Sequence, residues 1–348
     1  MTERAGRGAW AEAGPETVRP GVHRVPLPLP DDGLRAVNVY LLEDDDGIVM
    51  IDGGWALPES RRVLEDALAG LGHDLGAITQ ILVTHIHRDH YTQAIALRRL
   101  LGSRVLLGAG ERPGLEMLRR IQTRSPVMSL EILARGGAHD LAARIRKRFD
   151  GTDFDDQDWE LPDEWLGPGV RRLGRQALRV IPTPGHTRGH VVYLDEENGL
   201  LFAGDHVLPH ITPSIGFELA EPGLPLADYL RSLHLMTTFA DTRLLPAHGP
   251  VAGSTHARVG ELLRHHDRRL AATLRALGDG SLVGYEVARR LTWTRRETPF
   301  TDLDDFNQML AVNETVAHLD VLVARGQATV SPDNGTDHFT PAVAVPGC

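Results

Sequence analysis

Thr84-His85-Ile86-His87-Arg88-Asp89-His90 places four side chains of metal-ligating type, His85, His87, Asp89 and His90, within six residues, directly after the apolar run Ile81-Leu82-Val83. A strand that ends in such a cluster can aim several imidazoles and a carboxylate at one point. Residues two apart on an extended chain project to the same side, so His85 and His87 can share one cation. Asp89 and His90 fall where the chain turns into a helix expected over 90–101, which directs them elsewhere. One strand end can therefore serve two neighbouring metals. A polar loop capped by Asp89 accounts for that residue but leaves three histidines unexplained.

Further candidates recur in the same setting, each after a run that reads as a strand. Residues 178–181 lead into Pro182-Thr183-Pro184-Gly185-His186, residues 199–203 into Gly204-Asp205-His206, and residues 242–245 into Pro246-Ala247-His248-Gly249. Strand ends that converge on one edge gather ligands from distant parts of a chain. Gly185, Gly204 and Gly249 suit tight turns or close backbone approach beside such a site.

With these motifs in this order, the chain resembles the metallo-β-lactamase superfamily over residues 20–252. Asp52, in Ile51-Asp52-Gly53-Gly54, matches an early motif of the same family. The resemblance implies an αββα sandwich of the α/β class. It also implies that His85, His87 and His186 hold a first metal, that Asp89, His90 and His248 hold a second, and that Asp205 bridges both. Asp52 is then a residue that orients the ligand loop, and His206, beside Asp205, either supports the ligands from behind or touches substrate. The glyoxalase II-like and polyketide-releasing branches share the Thr-His-x-His-x-Asp-His pattern, and that resemblance implies ester or thioester hydrolysis. The run from Gly204 to Pro213, followed by a helical C-terminal part, looks like the β-lactamase-like endoribonuclease branch.

Composition narrows the metal. The one cysteine, Cys348, stands at the end of the chain, which excludes an internal disulfide and any thiolate-based site. A nitrogen and oxygen donor set suits zinc, with manganese or iron as substitutes. The cofactor expectation is two divalent metal ions. Residues 1–21 carry charges and glycines without the apolar segment of a signal peptide, and no run approaches the roughly 20 apolar residues of a membrane span. A cytoplasmic location without a membrane partner is the expectation. The formal net charge of −10, with Lys147 as the only lysine, works against nucleic acid as a partner.

At 348 residues the chain exceeds one usual core, so a large domain with an appendage is expected. Strands over 37–42, 48–51, 80–84, 104–107, 178–181, 191–194 and 200–203, with helices over 59–71 and from 90, fit two packed sheets with helices outside. A long stretch, 111–174, interrupts this order. It carries helical spacing over 115–121 and 130–149 with many arginines (Arg119, Arg120, Arg124, Arg135, Arg144, Arg146 and Arg148), then an acidic run over 150–164 without ordered calcium-ligand spacing. It reads as a helical lid insertion, with Met128, Trp159 and Trp165 as apolar contacts for substrate. Residues 253–348 read as a winged-helix-like C-terminal domain: helices over 256–277, 282–291 and 306–325, and a strand pair over 328–330 and 339–343. Such a unit walls the site, offers a homodimer surface or, in the lesser reading, touches nucleic acid.

The ligand set implies a hydrolase. Two metals about 3.5–4 Å apart lower the pKa of a shared water towards neutrality, and that bridging hydroxide attacks without a serine or cysteine. Asp89 and Asp205 are the catalytic carboxylates of this reading. Arg88 either bonds to Asp205 or stays a surface charge. An ester or thioester, that is, a small-molecule acyl substrate, is favoured over a phosphodiester such as RNA. A metal-retaining binding protein without turnover is the remaining alternative.

Overall fold

In the computed structural model, the described residues are 9–30, 33–122, 125–149, 155–215 and 223–342. Arg124, part of the acidic run (150–154), Val343 and Cys348 lie outside them.

The first sheet contains seven strands in chain order: β1 (Glu16–Arg19), β2 (Val22–Pro28), β3 (Ala36–Asp44), β4 (Gly47–Ile51), β5 (Ile78–Val83), β6 (Arg104–Gly108) and β7 (Glu164–Leu166). Its first four strands form an antiparallel meander. From β4 to β7 the pairing is parallel, with helices in every crossover: α1 (Pro58–Gly70) precedes β5, α2 (Arg88–Leu101) precedes β6, and three further helices between 112 and 149 precede β7. Parallel neighbours need such long connections, and α1 and α2 cover the outer face. The second sheet contains β8 (Gly169–Leu173), β9 (Gln176–Pro182), β10 (Val191–Asp195), β11 (Leu200–Gly204) and β12 (Arg243–Pro246), in the order β12-β11-β10-β9-β8.

Two-residue periodicity divides the cores. Along β3, Val37, Val39 and Leu41 join the core under α1 and α2, which supply Leu64, Leu68, Tyr91 and Ile95. The alternate residues Tyr40 and Leu42 face the second sheet and meet Leu178, Val180, Tyr193, Phe202 and Leu245. Tyr40 sets its ring edge against Phe202 at 5.3 Å. The far face of the second sheet, with Val192, Leu194 and Leu201, shares one core with helix Pro225–Met236 and with the C-terminal helices Thr255–Leu277, Gly284–Arg289 and Asp305–Ala324. Helix, sheet, sheet and helix layers follow, as the α/β sandwich reading requires.

Residues 111–174 do more than form an insertion. Their end supplies β7 and β8, one edge strand to each sheet. Both are short, and β8 (Gly-Val-Arg-Arg-Leu) carries the polar residues an edge tolerates, so no apolar alternation marks it. The helices Val127–Arg135 and His139–Phe149 place Leu130, Leu133, Leu141 and Ile145 in the same core as Val312, Val316 and Leu319 of the last long helix. Arg135 pairs with Asp320 and Asp337, and Arg144 with Asp305, across that seam.

Trp159 and Trp165 differ from the substrate-contact expectation. Both pack against the core beneath α1 and α2, and Trp159 stacks on Tyr91 with centroids 6.4 Å apart. Trp165 faces that side because it alternates with Leu166, which points between the sheets. Met128 is buried at the start of its helix.

The C-terminal strand pair is longer than its apolar residues indicate, Ala328–Asp333 against Thr336–Pro341, and Leu282–Val283 adds a third strand. A second small pair, Thr292–Trp293 with Thr298–Pro299, follows the short helix.

Candidate metal centre

The loop after β5 enters α2 two residues earlier than expected, with His87 as the residue before the helix. Asp89 and His90 therefore occupy the first turn, where side chains project back towards the strand end. The loops after β9, β11 and β12 bring His186, Asp205 and His248 to the same place.

Three overlapping groups have donor atoms within 4.8 Å of one another: His85, His87 and His186; His85, His90 and Asp205; and Asp89, His90 and His248. All seven sequence-derived candidates for the two metals thus converge. His87 Nδ1 lies 3.0 Å from His186 Nε2, and His248 Nε2 lies 3.2 Å from Asp89 Oδ2.

Partners outside the cluster fix which nitrogen faces inward. His90 Nδ1 donates to Asp52 Oδ2 at 3.0 Å, His186 Nδ1 to the Ser214 carbonyl at 2.9 Å, and His248 Nδ1 to the Ala36 carbonyl at 2.8 Å. The Thr84 hydroxyl donates to Asp52, so at 3.0 Å from His85 Nδ1 it must accept. Each of these four imidazoles therefore presents the lone pair of Nε2 to the centre. The Nε2 atoms of His85, His90 and His248 and Oδ1 of Asp205 are buried without a hydrogen-bond partner. Buried lone pairs facing carboxylate oxygens, with no donor between them, fit a cation.

Electrostatics agree with a site built for positive charge. Burial works against a charged His90, but Asp89 and Asp52 outweigh it and push the imidazole up to about 10. Burial likewise opposes charge on His248, and Asp205 and Asp89 push it up to about 9. Asp89 is held well below the usual carboxylate range: burial raises it, yet His90 and then His248 prevail. Asp205 is raised, because burial exceeds the pull of His248 and His90. His85 and His186 are driven down, first by burial and then by neighbouring histidines.

Asp52 stands behind the cluster and belongs to none of its three donor groups. Its carboxylate accepts the Thr84 backbone N–H at 2.7 Å and the Thr84 hydroxyl at 2.9 Å as well as His90. Its own φ of 60° lies in the left-handed region, which a non-glycine residue adopts at a cost of about 1–3 kcal/mol when the surroundings impose it.

His206 is fully buried between His190, at 6.1 Å, and Tyr229, at 5.4 Å, out of reach of a substrate. Burial drives its imidazole down to about 3, so it is neutral. Arg88 lies over the Trp55 ring, 4.9 Å from its centroid.

Two supports were not recognised in the sequence. His190 Nε2 accepts the Asp205 backbone N–H at 3.2 Å, so Nδ1 carries the proton and donates to Thr183 Oγ1 at 2.8 Å. Its ring stacks on His85 with centroids 5.0 Å apart. A Cβ on Gly204 would stand 2.7 Å from both His190 Nε2 and Thr84 Oγ1, which explains glycine before Asp205. The second support is Asn38, which donates to the carbonyls of Pro246 and Gly249 and so holds the His248 loop against β3. A lone polar residue inside the apolar run 36–42 was its only sequence signal.

A family model described as the metallo-beta-lactamase superfamily matches residues 32–262. The chain belongs to the metallo-β-lactamase superfamily. It is 24% identical over 326 residues to the probable metallo-hydrolase YqjP of Bacillus subtilis, covering 91% of this chain and 96% of that protein. The lactamase-like protein nscB of Neosartorya fischeri is 27% identical over 251 residues, which is 70% of this chain and 57% of that protein. Among solved structures, a metallo-beta-lactamase family protein from Thermus thermophilus superposes with a TM-score of 0.75 at 27% identity, covering 93% of this chain and 100% of that one. A beta-lactamase domain protein from Burkholderia ambifaria gives 0.73 at 25%, covering 94% and 95%. This superfamily member is a metal-dependent hydrolase with a candidate histidine and aspartate metal site. Among the described residues, no helix is long and apolar enough to cross a membrane.

Proposed function

We propose that the centre holds two divalent cations, zinc in preference to manganese or iron, and that the protein hydrolyses an ester or thioester. The observation that carries this reading is the placement of Asp205. Its Oδ2 lies 3.4 Å from His186 Nε2, while Oδ1 lies 3.4 Å from His248 Nε2 and 3.7 Å from His90 Nε2. One carboxylate thus turns an oxygen towards each half of the donor set. His85, His87 and His186 would hold the first ion and Asp89, His90 and His248 the second, with Asp205 shared.

When bound, such a pair of cations acidifies a water molecule and polarises the scissile carbonyl. The protein's part is to place and orient. Asp89 is the more accessible carboxylate, its side chain 19% exposed against 9% for Asp205, and its depressed pKa keeps it an acceptor for the water's hydrogen. Asp205 is anchored through its backbone N–H by His190, which holds the residue carrying the shared carboxylate in place.

An uncharged acyl substrate is favoured over a polyanion by the fate of the arginines. Arg98 and Arg99 are paired with Glu160, Arg104 and Arg171 with Glu164, and Arg135 and Arg144 with aspartates of the C-terminal part. Carboxylates therefore neutralise these six arginines, of which Arg135 and Arg144 belong to the arginine-rich stretch between 115 and 149, and reduce the positive charge available to a nucleic acid. The names metallo-hydrolase and lactamase-like protein, borne by the relatives, are compatible with acyl chemistry.

A panel of an acyl-thioester, a lactone and bis(p-nitrophenyl) phosphate, assayed with metal content measured in parallel, tests the reading. Turnover of an acyl substrate that chelation abolishes and zinc restores is expected. Turnover of the phosphodiester alone would overturn the substrate assignment, and full acyl turnover after metal removal would overturn the centre itself.

A further inference from the structure

Glu111 closes the short turn Ala109–Glu111 after β6 and is 2% exposed. Its Oε1 accepts the Thr187 hydroxyl at 2.5 Å, and the Ile86 backbone N–H donates to the same carboxyl group. Ile86 lies between His85 and His87, and Thr187 follows His186. A single side chain therefore touches both loops that supply the three-histidine group, without itself touching a member of that group.

The backbones beside it are packed as closely as side chains permit. A Cβ on Gly189 would stand 2.0 Å from the Glu111 nitrogen, and one on Gly110 would stand 2.8 Å from the Gly189 Cα. Gly108 is similarly constrained, its Cβ meeting the Gly189 carbonyl at 2.6 Å. Three glycines thus admit Glu111 to a place where any bulkier neighbour would push the His186 loop away from the His85–His87 loop. Burying a carboxyl group is costly without hydrogen bonds, and the two donors come from the two loops themselves.

We propose that Glu111 is a positioning residue that fixes the spacing between His186 and the His85–His87 pair by joining Ile86 to Thr187. The inference rests on the metal reading of the site. Such supporting hydrogen bonds around a metal site are worth about 10–100-fold in metal affinity.

Three full-length variants test it: Glu111→Gln, Thr187→Val and the two combined. Zinc affinity is read by competition with a chromophoric chelator, ligand geometry by the visible bands of the cobalt(II)-loaded protein, and folding by circular dichroism and Tm. Each single variant should bind zinc about ten-fold or more weakly and show altered cobalt bands. The double variant should be little worse than the stronger single one, because both changes cut the same link. A merely structural role would lower Tm and leave affinity and bands at parental values. That result in a folded Thr187→Val protein overturns the proposal, even if Glu111→Gln fails to fold. A parent chain that binds neither zinc nor cobalt would sink the metal reading first, and this inference with it.

Discussion

Asp52 and His90, 38 residues apart, meet with Oδ2 3.0 Å from Nδ1, and that bond turns the opposite nitrogen of His90 into the centre of the donor cluster. The same carboxylate holds Thr84 by its backbone N–H and its hydroxyl, and Thr84 in turn holds His85. Two proposed ligands thus depend on one aspartate that holds no metal in this reading.

Asp52→Ala should therefore weaken zinc binding about 10–100-fold. Stability should fall by about 3 kcal/mol, because buried donors on Thr84 and His90 lose their acceptor. Chelator competition and urea denaturation measure the two effects. Parental zinc affinity in a folded Asp52→Ala protein would show that other contacts orient His90.

Asp205→Asn removes the negative charge turned towards both halves of the site. Hydrolysis should drop at least about 100-fold with Tm near the parental value, since the amide is the same size and the His190 contact is made through the backbone. His248→Ala should release one of two bound ions in preference to the other. Unchanged stoichiometry by elemental analysis would remove His248 from the ligand set.

Gly204→Ala adds a methyl group within 2.7 Å of His190 and Thr84 at a φ of 50°. The loop must move, and Asp205 with it. A loss of stability of about 1–3 kcal/mol together with weaker metal binding is expected. Equal stability and affinity would mean that the site is slacker than these contacts imply.

A buried pair far from the centre sets a pH dependence. His266 Nδ1 lies 3.3 Å from His318 Nε2 between the two long C-terminal helices, and burial drives the His318 imidazole down to about 4. The folded protein thus refuses a proton that the unfolded chain accepts near 6.5. This contribution to stability is complete above that pH and is lost progressively as pH falls towards 4, by about 3 kcal/mol in all. Urea midpoints at pH 7.5 and 5 should differ less in His318→Gln than in the parent. An identical pH slope in the two proteins would refute the assignment.

The sequence displayed the chemistry better than its supports. His85, His87, Asp89 and His90 share six residues, and His186, Asp205 and His248 each end an apolar strand, so both their type and their placement were visible. Glu111 and His190 act across 76 and 15 residues, through bonds that leave no local pattern. The strands β7 and β8 were hidden for another reason. Edge strands are paired on one side and tolerate polar residues, and Glu-Trp-Leu and Gly-Val-Arg-Arg-Leu show no alternation to read. Trp159 and Trp165 misled because a large aromatic residue in a polar stretch serves a buried face as well as a substrate.

Leu133 and Ile145 share their core with Val312 and Leu319, more than 160 residues further on. Folding of the middle of the chain is thereby coupled to its distal third. An attempt to trim this enzyme to a minimal sandwich ending near 253 would leave Leu133, Ile145 and Leu233 without the greasy partners that the distal helices supply. Inclusion bodies, rather than a smaller catalyst, would be the product.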